Sequence, residues 1–287
     1  MKTNNPMFYT LWSLAILLCV ILCVFALFFA SCSKLETAPG DSTTLEEESG
    51  TVPDDGEENA VPVGNSGENP PDQPQAPETP PTRLAETEDA GSAYLDKFVF
   101  LGDSTTYGLK YYGVLSGGSN TTQVWTPASG TLSLHQQSFV TIVYPETGEE
   151  LTIVEAVTKK QPEYMLITVG VNGVSFMDEE YFTSEYTKLV QNIQTASPNT
   201  KIILNSMYPV ASSYKYLSDI NNNKITAANV WVEKVAESTG VRFLNSFETI
   251  VGADGWLPQE KQNGDGIHLN ADGFQQILDY IRTHEYK

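Results

Sequence analysis

From Ala93 onward, short apolar runs alternate with longer stretches of helical spacing, and that alternation limits the fold more than any other feature of the chain. Lys97-Phe98-Val99-Phe100-Leu101 ends at Gly102 and reads as a strand buried on both faces. Phe139 to Tyr144 and Leu151 to Val154 flank Pro145-Glu146-Thr147-Gly148 as a hairpin, and Tyr164 to Val169 is the next buried strand. Phe182 to Ala196 places Tyr186, Leu189, Val190 and Ile193 on one helical face, with Pro198 beyond its end. Lys201 to Leu204 reads as a strand, Ile225 to Ser238 as a helix closed by Gly240, Val241 to Leu244 as a strand and Ala271 to Thr283 as a last helix. Such a series implies an α/β domain with a mostly parallel sheet, expected over 93–287. Ligands of such sheets bind beyond the carboxyl ends of the strands, so the residues that follow each strand are the ones to inspect.

The sequence ahead of this domain has a different character. Phe8 to Ser31 is 24 residues without a charge, which at ~1.5 Å per residue makes a helix long enough to span a bilayer. Residues 1–32 are therefore expected to be an N-terminal membrane anchor; Phe29-Ala30-Ser31-Cys32 also resembles a bacterial lipobox, which would place a lipid on Cys32. Lys2 before the run and acids after it orient the following chain to the outside. Residues 33–92 hold 15 acids against Lys34 and Arg83, with 9 of the 16 prolines. A segment of that composition buries too little apolar surface to offset its ordering entropy, so it is expected to be a disordered spacer.

Charge and cysteine usage exclude several classes. The net charge is −20, the wrong sign for neutralising phosphate backbones, so nucleic acid is not an expected partner. Cys19, Cys23 and Cys32 all lie in or beside the apolar run, which leaves the folded part with no disulfide framework and no cysteine-based zinc site. No cofactor and no metal are expected.

Three strand ends carry chemistry. Gly102-Asp103-Ser104-Thr105 follows the first strand, Gly170-Val171-Asn172-Gly173 follows the strand at 164–169, and Asp265-Gly266-Ile267-His268 lies in a loop after the strand at 241–244. Taken singly, the first is an ordinary turn and helix cap, and the second an ordinary loop. Taken together they supply a hydroxyl, an amide and an Asp/His pair in one chain. His135 and His284 lack such a context and receive no role.

On these motifs, residues 97–287 resemble the SGNH, or GDSL-type, hydrolase family of serine esterases. The resemblance implies a flavodoxin-like, three-layer α/β/α fold. It also implies Ser104 as nucleophile, His268 as base, Asp265 as its orienting carboxylate, and an oxyanion hole from the N–H groups of Ser104 and Gly130 with the amide of Asn172. Gly117 and Gly118 are alternatives to Gly130. The family's GxND block is matched through Asn172, after which Gly173 replaces the aspartate, and Thr105 stands where many relatives carry leucine.

The expected function is an exported cell-surface serine esterase acting on short acyl groups, acetyl above all, on carbohydrate. The alternatives are a lipase, thioesterase or lysophospholipase on the same fold, and a non-catalytic carbohydrate-binding domain. Trp125, Tyr111 and Tyr112 are read as either sugar-stacking or core aromatics.

Overall fold

The computed structural model describes residues 82–287; the expected anchor at 1–32 and the expected spacer from 33 to 81 lie outside the described residues. The described residues form one compact unit. Its centre is a strand, β1 (Phe98–Gly102), in which every residue is buried. On one side β1 pairs in parallel with β2 (Val124–Trp125). On the other it pairs with β5 (Tyr164–Thr168), which continues through β6 (Lys201–Asn205) to β7 (Arg242–Leu244), all parallel. The sheet order β2-β1-β5-β6-β7 is the flavodoxin-like order, whose reversal point lies between β1 and β5.

Alternation along the strands separates two cores. Val99, Leu101, Met165, Ile167, Ile202 and Leu204 face one way and Phe98, Phe100, Tyr164, Leu166 and Ile203 the other, as period-two side chains must. The first face is covered by α3 (Ile153–Lys160), α4 (Glu179–Ala196) and α5 (Asn222–Thr239). The second is covered by α1 (Ser92–Leu95), α2 (Ser104–Tyr111), α6 (Ser246–Ile250) and α7 (Ala271–Arg282). The result is the expected three-layer α/β/α fold.

Helix ends follow local chemistry. Asp178, Asn221 and Asn270 each accept a hydrogen bond from the third backbone N–H after them, starting α4, α5 and α7. Thr152 and Glu155 form a reciprocal capping box that starts α3. That box ends the second hairpin strand early. The pair β3 (Thr141–Val143) and β4 (Glu150–Thr152) is antiparallel as expected, but Ile153 and Val154, expected in the strand, belong to the helix.

Two expectations are corrected by packing. Val124–Trp125 is a short edge strand that no periodicity marked, and Trp125 is fully buried against Tyr144, so it packs the core rather than a sugar. The packed domain also reaches back to Thr82, inside the expected spacer. The Leu84 N–H donates to the Phe243 carbonyl and the Phe243 N–H to that of Thr82, both at 2.9 Å, extending the sheet beyond β7. Arg83 holds Glu233 through two hydrogen bonds of 3.0 and 2.6 Å, and Leu84 is buried. The acid- and proline-rich average over 33–92 conceals this short segment, which covers an edge strand that would otherwise be unpaired.

Candidate active site

The register of β1 on β5 pairs Gly102 with Thr168, so the segments leaving both strands emerge side by side at the reversal point of the sheet. Gly102 permits this closeness, because a Cβ there would lie 2.0 Å from Thr106 Oγ1 and 2.7 Å from the Thr168 carbonyl oxygen. Asp103 then caps α2. Its carboxylate accepts from the Thr105 N–H at 2.9 Å, and its carbonyl accepts from Thr106 and Tyr107 at 3.0 and 3.1 Å. Asp103 thus takes the N–H groups of Thr105 and Thr106, which a helix start leaves without intrahelical partners, and accepts the first regular helical bond from Tyr107, while the Ser104 N–H is bonded to neither of its oxygen groups.

Ser104 Oγ lies 2.8 Å from His268 Nε2, and His268 Nδ1 lies 2.6 Å from Asp265 Oδ2. The spacing of Asp265 and His268 is held by a tight loop: Asn263 N–H donates to the His268 carbonyl at 3.0 Å, and Gln262 bridges to Leu269. Within it, Gln262 Oε1 accepts from Gly264 and Gly266 at 2.5 and 3.0 Å. Asp265 Oδ1 accepts from the N–H groups of Ile267 and His268 at 2.9 and 3.0 Å. Burial alone would push the Asp265 carboxyl up, but these N–H groups and the His268 ring hold it below the ordinary carboxylate range. Gly266 has φ +87° and sits where a Cβ would meet Tyr214 Cα at 2.8 Å, so the loop packs closely against the 211–214 strap.

The sequence-expected oxyanion donors are brought to the same place but are engaged. Asn172 Nδ2 donates to Asp103 Oδ2 at 2.9 Å and to the Leu132 carbonyl at 3.1 Å. Gly130 closes a turn, its N–H on the Pro127 carbonyl at 2.9 Å. A Cβ on Gly130 would lie 3.7 Å from Ser104 Cβ, whereas Gly117 and Gly118 belong to a separate turn around Thr121.

Asp103 is the residue that sequence reasoning undervalued as a mere cap. Its side chain is fully buried with no cation bonded to it, accepting from the Thr105 N–H and hydroxyl and from Asn172. Burial raises its pKa to about 6, outweighing the donors at Thr105. Beneath it, Asp103, Thr105, Thr168, Val171, Met207 and Ile267 border a cavity of only about 10 Å³. Among the described residues no group of three His, Cys, Asp or Glu side chains is placed to hold a metal ion.

A serine, an imidazole and a carboxylate joined in this order define a serine-hydrolase arrangement, which is recognised by geometry on whatever fold carries it. The chain belongs to the GDSL-like lipase/acylhydrolase family, whose model matches residues 100–276, and is an ester-hydrolysing enzyme. Similar solved structures include a Streptococcus pneumonia protein assigned as a platelet activating factor, with 18% identity, 70% of this chain and 93% of that chain covered, and a TM-score of 0.50. An assigned acylhydrolase from Bacteroides fragilis has 18% identity over 63% of this chain and 82% of that chain, with a TM-score of 0.48. A GDSL-like lipase from Bacteroides thetaiotaomicron has 18% identity over 64% and 85%, with a TM-score of 0.47. No curated protein matches the chain.

Proposed function

We propose that this enzyme is an exported serine esterase that removes short O-acyl groups, acetyl above all, from carbohydrate at the cell surface, held there by the N-terminal segment or by a lipid on Cys32. The observation that carries the chemistry is the hydrogen-bonded series Ser104, His268, Asp265 at the sheet's reversal point. Ser104 Oγ attacks the ester carbonyl as its proton passes to His268 Nε2, and Asp265 holds the Nδ1–H tautomer and stabilises the imidazolium. The tetrahedral oxyanion is met by the Ser104 N–H, with Gly130 and Asn172 turning from Pro127 and Leu132 to join it. His268 returns the proton to the departing alcohol, and water then cleaves the acyl-enzyme by the same steps.

Short acyl groups are favoured by the chain between Ser104 and Asn172, which offers the small, polar stretch Ser116-Gly117-Gly118-Ser119-Asn120 and no long amphipathic segment to line an acyl groove. A second reading, a lipase or lysophospholipase, draws on Phe139 and Phe176, which are 65% and 57% exposed. Two measurements test the proposal. Fluorophosphonate labelling should map to Ser104 and vanish in Ser104→Ala; labelling elsewhere refutes the nucleophile. In the series p-nitrophenyl acetate, butyrate and octanoate, kcat/KM should be highest for acetate. A monotonic rise with chain length, at ~0.8 kcal/mol per buried methylene, would favour the lipase. Acetylated xylan and acetylated peptidoglycan serve as the natural-polymer arm.

A further inference from the structure

Alongside α2, the 126–130 loop and the strands β2 and β3 bound a second cavity of about 500 Å³. Gly130 marks its inner end, adjacent to Ser104. Tyr107 and Lys110 line it from α2, with Thr126 and Ser129 opposite, and no carboxylate lies in its wall. Lys110 is six residues beyond Ser104 on the helix, about 9 Å along its axis at ~1.5 Å per residue.

Lys110 differs from the ion-paired cations of this molecule. Lys97, Lys159, Lys160, Lys188, Lys234, Arg83 and Arg282 are each paired with an acid in a chain of net charge −20. Like that of Lys261, the Lys110 ammonium has no ion pair and no hydrogen bond among the described residues, although the residue is half-buried. A cation left unpaired among so many acids, on the wall of a cavity abutting the nucleophile, is suited to an anion brought by the substrate. Its place in the last turn of α2 also suits the helix dipole. That benefit does not depend on what the substrate carries, which allows the two roles to be separated.

We propose that this cavity receives the alcohol half of the ester and that Lys110 binds a carboxylate on it, so that the substrate class is an O-acetylated acidic saccharide. Tyr107, 45% exposed, offers a ring for the sugar face, and Thr126 and Ser129 offer hydroxyls for its polar edge. This rests on the esterase reading above, in which the saccharide leaves as the alcohol with the proton from His268 and the acetyl group stays on Ser104.

The test uses the full-length chain in a non-ionic detergent with a matched pair, methyl O-acetyl-glucuronide and methyl O-acetyl-glucoside. The wild type should favour the acid roughly 2- to 5-fold in kcat/KM, the range of a partly exposed ion pair, with the gain in KM. The ratio should collapse to about one in Lys110→Gln and persist in Lys110→Arg. It should also persist in Lys97→Gln, where the substituted lysine stands at the opposite end of β1. In the wild type it should shrink as salt rises toward ~1 M. No preference in the wild type, or one that survives Lys110→Gln, overturns the inference. Hydrolysis of p-nitrophenyl acetate that persists in Ser104→Ala would instead overturn the esterase reading beneath it.

Discussion

Replacing Asp103 by asparagine tests whether a buried carboxyl next to Ser104 behaves as its surroundings require. The gap between its pKa of about 6 and the ordinary 3.8, at ~1.4 kcal/mol per pH unit, amounts to roughly 3 kcal/mol. The folded state therefore holds this proton more tightly than the unfolded chain does. The stability that protonated Asp103 contributes is fully present below 3.8 and is lost as pH rises through about 6. Asparagine cannot ionise, so it lacks this dependence. It does lose something at every pH: with its oxygen kept on Thr105, its amide nitrogen faces Asn172 Nδ2, donor against donor, at a cost of ~1–3 kcal/mol. Urea unfolding of a fragment from Pro71, with both proteins measured between about pH 4 and 7, isolates the site because all other titrations cancel in the difference. Asp103→Asn should be clearly the less stable at the acid end, and the gap should narrow by about 2–3 kcal/mol toward neutrality. A gap that stays constant with pH would show that the donors around Asp103 overcome its burial, and would refute the argument.

Other substitutions probe the remaining parts. Asn172→Ala should fold and lower kcat about 100- to 1,000-fold; near-normal kcat would remove Asn172 from the oxyanion hole. In Gly266→Ala a Cβ would meet Tyr214 Cα at 2.8 Å with φ at +87°, so kcat should fall because the Asp265–His268 loop must shift, with unchanged kcat at unchanged Tm counting against that. Limited proteolysis should leave a resistant fragment beginning at or before Thr82. Trimming to Gly91 should lower Tm, since it removes buried Leu84, worth ~1.5–3 kcal/mol, along with the Arg83 pair to Glu233; an unchanged Tm would show that this segment contributes nothing to the fold.

Much of the architecture was legible because it rests on local periodicity. The runs at 97–102, 164–169 and 201–204 are apolar on both faces because both faces are covered, and the helical stretches carry their buried residues at helical spacing. The meeting of Ser104, Asp265 and His268 could be read from two short motifs, since tight turns at strand ends demand glycine and small polar residues beside them. What the sequence could not convey depends on contacts between distant segments. Val124–Trp125 and Thr82–Leu84 are too short to show a period; the first becomes a strand only by pairing with β1, and the second forms only a bridge to Phe243 in β7. Trp125 looked equally suited to a sugar and to a core until Tyr144 packed on it. Asp103 seemed only a cap until the fold enclosed it and turned Asn172 toward it. Lys110 became notable only when the surrounding wall proved free of acids. Secondary structure and turn chemistry are set within about a dozen residues of chain, whereas burial, charge environment and cavity shape belong to the assembled tertiary structure.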